Sequence, residues 1–163
     1  MARITKVIDE LEAPSWLSSV PRDFGAPSAG TLKADQWRTL FTVHLPVALI
    51  SLWGEGTSHP SVHIASHLRD TLDHFMKLVN CILLAFSRTT SSRRSQEYLT
   101  NIKEYVSCLP NLHPHVSART NHHVAFHIYD FLLLFGPAHS WWAFPYERLI
   151  GRLERMPSNH IIG

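Results

Sequence analysis

Apolar positions recur along this chain at intervals of three and four, and no useful stretch alternates at intervals of two. That is the spacing of one face of an α-helix, and it predicts an all-α fold without a sheet. Ile4, Val7, Ile8 and Leu11 mark a short first helix between Arg3 and Ala13, which Pro14 ends. Pro, Ser, Gly and Ala then crowd the stretch from Pro14 to Gly30, which predicts an extended connector with Trp16 and Phe24 as packing anchors. A second helix begins near Leu32, with Trp37, Leu40, Phe41, His44 and Leu45 as a broad inward face. Pro46 should kink or split it, because proline removes a backbone bond and clashes with the preceding turn; Gly54 and Gly56 close it.

The longest regular piece runs from about Val62 to Thr89, with Leu68, Leu72, Phe75, Leu78, Val79, Ile82 and Phe86 on a core face. Ser87 to Ser95 reads as a polar turn, after which Ser95 starts a helix lined by Tyr98, Ile102, Tyr105 and Leu109. Pro110 and Pro114 bracket the link to the stretch from Arg119 to Arg155, which reads as a helix pair joined by Gly136-Pro137. Thr120 or Asn121 can cap the first of the pair, and Pro145 suits the first turn of the second. The expectation is one domain over residues 1–163, a single irregular bundle of about six helices. Residues 1–30 supply the N-terminal helix and connector, and residues 31–163 the helical body that holds the 119–155 pair.

Composition narrows the class. With 163 residues, 45% hydrophobic and 17% charged, the chain can bury a real core and is globular rather than disordered. No segment approaches the roughly 20 apolar residues of a membrane span, and the charged N-terminus lacks the apolar region of a signal peptide. The expected setting is intracellular, with no membrane partner. Cys81 and Cys108 stand alone, imply no disulfide framework, and read as buried free thiols. A net charge of +2 is no bulk polycation, so any nucleic-acid contact must come from local clusters.

Three segments together resemble a known family: GTLKADQWRTLFTVHLPVALISLWG, NLHPHVSARTNHHVAFHIYDFLLLFGP and SWWAFPYERLIGRL. They are similar to the C-terminal region of CACTA (En/Spm-type) transposases, closest to the versions found in basidiomycete fungal genomes. The likeness runs from about Arg3 to Gly163. Its most specific portions are LKA-x-x-W at Leu32 to Trp37 and GP-x(7)-P-x-ER from Gly136 to Arg148.

The resemblance implies a DDE enzyme on an RNase H-like fold, in which two aspartates from a sheet and a glutamate on a late helix hold two Mg2+ or Mn2+ ions. By position, Glu147 corresponds to that last acid. It further implies that an H-x(3–4)-H pair, here His123 and His127, helps to bind a structural Zn2+ together with an upstream C-x-x-C. This chain has no C-x-x-C and no strands to carry the two aspartates. It therefore looks like a C-terminal piece of a transposase, a truncated or decayed copy that is expected to be inactive alone. The divalent ions would belong only to an intact parent enzyme, whose missing catalytic core is one expected partner and DNA the other. The resemblance implies a nuclear location.

Each candidate has a plainer reading beside it. Glu147 in the first turn of a helix is favourable through the helix dipole and capping, by about 0.3–1 kcal/mol. On that helix Leu149, Leu153 and Met156 form an apolar side, Glu147, Gly151 and Glu154 a second, and Arg148, Arg152 and Arg155 a third. The arginine stripe can meet phosphates, or be a solvated face paired with acids. Gly151 in mid-helix hints at close approach by another backbone or a ligand.

His123 and His127 share one side of a helix, which a common ion requires, though satisfied core histidines fit an otherwise apolar helix as well. Asp130 can complete a His-His-Asp metal site or fix a tautomer by accepting a ring N–H. His113 and His115 are a weak metal signal, while His59, His63, His67 and His74 read as the polar side of an amphipathic helix. Trp141, Trp142, Phe144 and Tyr146 read as an aromatic plug, with base stacking as the alternative.

Three functions follow: a transposase-derived helical module; a DNA-binding or zinc-stabilised binding module; and a ligand-free helical interaction protein. The first expects Glu147 to face the same cavity as the paired imidazoles.

Overall fold

Two serines fix where the longest helices begin. Ser61 and Ser91 both adopt extended backbone, and their hydroxyls accept the N–H groups of Ile64 (3.2 Å) and Arg94 (3.3 Å). Each thereby satisfies one of the donors a helix start leaves open. The computed structural model describes residues 2–12, 14–26, 30–59, 61–117 and 119–155, and the backbone alone at Phe144 and Arg148. In chain order the α-helices are α1 (Ala2–Glu10), α2 (Ala34–Thr39), α3 (Leu45–Trp53), α4 (Val62–Ala85), α5 (Ser92–Leu112), α6 (Thr120–Leu134) and α7 (Phe144–Leu153). The architecture is all-α, with no strand among the described residues.

Three boundaries differ from the sequence expectation, each for a local reason. At Pro46 the helix does not break. α2 runs into α3 through a π turn, Leu40–His44, whose closing bond joins the Leu45 N–H to the Leu40 carbonyl five residues back. The wider turn makes room for the proline ring one step later. α5 begins at Ser92 rather than Ser95, because the Ser91 cap wins. Arg93 and Arg94 therefore lie in its first turn and not in a loop. Pro110 sits inside α5, so close to the end that it removes a single bond before the chain leaves at Leu112.

Two clusters form the interior. The larger joins Cys81 and Ala85 of α4, Tyr98 and Ile102 of α5, and Leu132 of α6. The Tyr98 hydroxyl donates to the Ala125 carbonyl at 2.8 Å, tying α5 to α6. Burial pushes the Cys81 thiol up to about 12 and raises the Tyr98 hydroxyl as well, so both stay neutral. The smaller cluster packs Val20 and Leu32 against Leu40, with Ile8, Phe24 and Leu45 around it. Phe24 meets Trp37 edge-on at 5.9 Å, as an anchor should. Trp16, expected as the other anchor, is 79% exposed. Phe41 and Phe75, 5.8 Å apart, bridge the two halves.

His74 belongs to the interior, not to a polar side. It is buried, stacked on Tyr105 (4.4 Å, 11°), and its Nε2 lies 2.8 Å from the Tyr105 carbonyl, which requires that nitrogen to carry and donate the proton. His63 and His67 are exposed as expected, while half-buried His59 meets the Thr57 hydroxyl at 2.9 Å.

Gly136 ends α6 with φ of 79°, a conformation open to glycine. At the other end, Thr120 and Asn121 fall inside α6. The cap is made by His122, whose Nδ1 accepts the Arg119 N–H at 3.1 Å. Between α6 and α7, Trp141 packs on Phe131 (5.4 Å) and donates to the Gly136 carbonyl, while Trp142 packs on Phe86 (5.7 Å). The plug is thus Trp141 and Trp142. Tyr146 is 70% exposed and takes no part, and the Phe144 side chain lies outside the described residues.

Candidate functional site

α7 is amphipathic, and it presents its polar side to the rest of the molecule. Glu147, Gly151, Arg152 and Arg155 form one wall of a cleft of about 620 Å³. The opposite wall is the start of α2 with the connector before it, including Lys33 and Asp35. Lys33, Ala34, Asp35 and Gln36, near one end of the chain, thus face Glu147 and the following turns of α7, near the other, across one cleft.

Local hydrogen bonds shape the α2 wall. The Gln36 side chain accepts the Lys33 N–H (2.9 Å) and donates to the Ser19 carbonyl (3.1 Å), clamping the connector to the helix start. Asp35 accepts from the Ser18 hydroxyl at 3.2 Å and pairs with Arg38 at 3.1 Å. Its charge is therefore answered within its own wall. Lys33, Arg152 and Arg155 take part in none of the ion pairs among the described residues. Against them stands Glu147, exposed, in the first turn of α7, with its N–H on the Ala143 carbonyl (3.0 Å). Positive charge exceeds negative in the cleft, and that suits an anionic ligand.

At Gly151 one of the two expected neighbours is absent: a Cβ built there meets nothing closer than the Arg155 guanidinium at 3.9 Å, so among the described residues no other backbone approaches it. It keeps the cleft floor open between Glu147 and Arg155. The side chain of Arg148, the third member of the arginine stripe, lies outside the described residues.

The histidine pair lies elsewhere. Neither His123 nor His127 lines the cleft that holds Glu147, so the acid and the imidazoles do not share that cavity as expected. Nor are they core histidines: both are exposed on the side of α6 away from Leu132. Their Nε2 atoms are 3.3 Å apart and the rings meet edge-on, 5.0 Å between centroids. Asp130 Oδ2 lies 3.6 Å from His127 Nδ1, on the far side of that ring. A carboxylate there favours the tautomer with the proton on Nδ1, which leaves Nε2 to accept the hydrogen bond that the His123 Nε2–H donates.

This arrangement decides how a zinc ion would fit. Two Zn–N bonds of about 2.05 Å at a tetrahedral angle place their nitrogens about 3.3 Å apart, and the His123–His127 separation is 3.3 Å. Asp130 faces the opposite nitrogen, so it orients His127 and does not reach the same ion. Among the described residues no three His, Cys, Asp or Glu side chains converge as ligands. The pair would fill at most two of four positions, and only by giving up the hydrogen bond between its rings. Both donors stand on one helix, so an ion held by them alone would join no two elements and could not staple the fold.

Sequence reasoning missed Lys33 and Asp35 as partners of α7, since nothing local in LKADQW points to a segment so distant. His113 lies 5.2 Å from His74 and belongs with that buried ring rather than with a metal. No protein-family model, curated protein or solved structure matches this chain.

Proposed function

We propose that this chain is a transposase-derived helical module that grips the DNA backbone in the cleft between α7 and the start of α2. One observation carries the reading: the Leu32–Trp37 segment and the stretch of α7 from Glu147 onward line opposite walls of one cleft, whose cations outside every ion pair among the described residues are Lys33, Arg152 and Arg155. Guanidinium groups suit phosphate geometry, and lysine adds a mobile point charge. Contacts of this kind fix position and register without reading bases. By the sequence resemblance, Glu147 corresponds to the last acid of a DDE site. It is one carboxylate, and two divalent ions need the two aspartates of a catalytic core. The module thus contributes grip, and strand transfer belongs to an intact parent enzyme.

The experiment is a salt titration of binding to a labelled duplex. Three phosphate contacts predict a log–log slope of about −2.7. Arg152→Ser with Arg155→Ser should flatten the slope by about 1.8, equally for unrelated sequences. Absence of binding at low salt, or affinity indifferent to salt, would remove the proposal. Within this reading the outward apolar side of α7 seats the missing catalytic core. Leu149→Ser with Leu153→Ser should abolish that association and leave DNA affinity in place.

A further inference from the structure

Given a cleft that holds DNA, we infer that the strand it takes is unpaired and that one of its bases stacks on Trp16; this rests on the reading above and names its substrate. Tryptophan is highly buried on average, yet Trp16 is 79% exposed, the barest of the five in the chain. Its indole has no hydrogen bond and no ring contact among the described residues, so packing does not account for it. Trp16 sits in a turn closed by the Leu17 N–H on the Pro14 carbonyl (2.9 Å). The chain then enters the cleft wall at once, through Ser18 and Ser19. Two residues of extended chain span at most about 7 Å, which puts Trp16 at the rim. The wall there is moored, because the Ser18 hydroxyl donates to Asp35 and the Ser19 carbonyl accepts from Gln36. An aromatic platform is thus tied to the start of α2, beside Lys33.

A cationic groove with an aromatic platform beside it is how proteins hold single strands. Lys33, Arg152 and Arg155 meet the phosphates, and the indole offers its face to a base. Bases inside a duplex have both faces covered by their neighbours, so none is free for Trp16. Size points the same way. A cleft of about 620 Å³ falls among those that enclose one small molecule, roughly 300–1,000 Å³. A nucleotide of a flexible strand can enter it, whereas a duplex can only lay phosphates along its opening. Duplex binding therefore uses the cations alone, and an unpaired strand adds the stack. Every base has a π-face, so the stack separates unpaired from paired DNA without reading sequence.

The test sets the parent chain against Trp16→Ala and Trp16→Phe, on labelled oligodeoxythymidine and on a relaxed circular duplex, which has no ends, over a range of salt. Trp16→Ala should weaken single-strand binding by roughly 5- to 150-fold, the factor for one base stacked on an aromatic ring. It should leave affinity for the circle unchanged. The log–log salt slope on the single strand, about −2.1 for three phosphates, should also hold, because no charge is removed. Trp16→Phe should keep most of the affinity. Circular dichroism and melting temperature of both variants should match the parent, since the side chain they alter is 79% exposed. Undiminished single-strand affinity in Trp16→Ala would overturn the stack and leave salt-dependent duplex binding, and with it the DNA reading, in place. Equal losses on both DNAs would overturn it too, by making Trp16 a general contact. No binding to either DNA at low salt would remove the DNA reading and the stack together.

Discussion

α5 and α7 are both amphipathic helices, and they are mounted the opposite way round. α5 turns its apolar side inward: Tyr98, Ile102 and Leu109 are buried, and its charged side meets water. α7 turns its apolar side outward. Tyr146, Leu149, Ile150 and Leu153 are all more than half exposed, while Glu147, Gly151 and Arg152 face the cleft. The first disposition is that of a folding element, whose burial holds the bundle together. The second is that of an element whose function is at the surface. Periodicity reports that a helix has two sides, and the rest of the chain decides which side it takes.

Truncation separates them most sharply. Leu132→Ala and Ile102→Ala each empty part of the α4–α5–α6 cluster, where both side chains are almost wholly buried. Each should lower unfolding free energy by about 2–5 kcal/mol. Leu149→Ala and Leu153→Ala, at exposed positions of α7, should change it by no more than about 0.5 kcal/mol. Urea denaturation measures all four. Equal losses on the two helices would show that α7 is packed, and the contrast would collapse.

Acid provides the next distinction. The His74 pKa is lowered by burial first and by the neighbouring His113 and Lys77 next, against the opposing hydrogen bond to the Tyr105 carbonyl. Burial lowers His44 too, and its Nδ1 has no hydrogen-bond partner among the described residues. The folded chain therefore refuses protons that the unfolded chain accepts once pH falls below about 6.5. Stability should be flat above that pH and fall from there down to the folded-state values. His74→Gln keeps a donor for the Tyr105 carbonyl and should shallow the decline. A chain equally stable to urea at pH 7.5 and pH 5 would refute the assignment. Among the described residues no histidine lines the cleft of α7, so DNA affinity should follow acid only as far as the fold does.

Capping marks the same difference on a smaller scale. α5 has the Ser91 hydroxyl on its Arg94 N–H, whereas α7 starts at Ala143 without a side-chain cap. Ser91→Ala should cost about 1 kcal/mol. Ala143→Ser or Ala143→Asp should gain a few tenths if α7 is limited by its own ends. Thermal melts of the three variants decide it.

Much of the fold was legible because helical spacing is a local signal. The apolar repeats of α4 and α5 gave both helices. In α5 Tyr98, Ile102 and Leu109 are buried as read, whereas in α4 only Leu72 and Val79 of the seven expected positions are, and Ala65, His74, Cys81 and Ala85 are buried beside them. Gly136-Pro137 and Pro145 gave the turn and the restart. What escaped depended on competition between neighbours or on distant contacts. Two serines four positions apart can each start α5, and Ser91 prevails through its cap. Proline signals a break, yet a π turn absorbs Pro46 and a nearby helix end absorbs Pro110. Trp16 resembles an anchor in any sequence, and only the packed chain leaves it bare. The site divides in the same way. The side-by-side placement of His123 and His127 followed from four-residue spacing alone. The separation of that pair from Glu147, and the meeting of Glu147 with Lys33, are tertiary facts with no local signature.

Gly151 carries the smallest expected effect and tests the comparison at its narrowest point. Glycine in mid-helix is less favourable than alanine by up to about 1 kcal/mol. A methyl group there would meet only the end of Arg155, 3.9 Å away. If α7 were a folding element like α5, alanine would be the better residue in every respect. Gly151→Ala should indeed stabilise the chain, by about 0.4–1 kcal/mol, and a single methyl is too small to close a cleft of about 620 Å³. Gly151→Leu retains the gain in helix propensity and fills the floor between Glu147 and Arg155. It should leave the melting temperature at or above that of the parent and weaken duplex binding. Loss of stability in the leucine variant would mean that the cleft is a packed contact. Undiminished DNA affinity would mean that phosphates do not reach its floor.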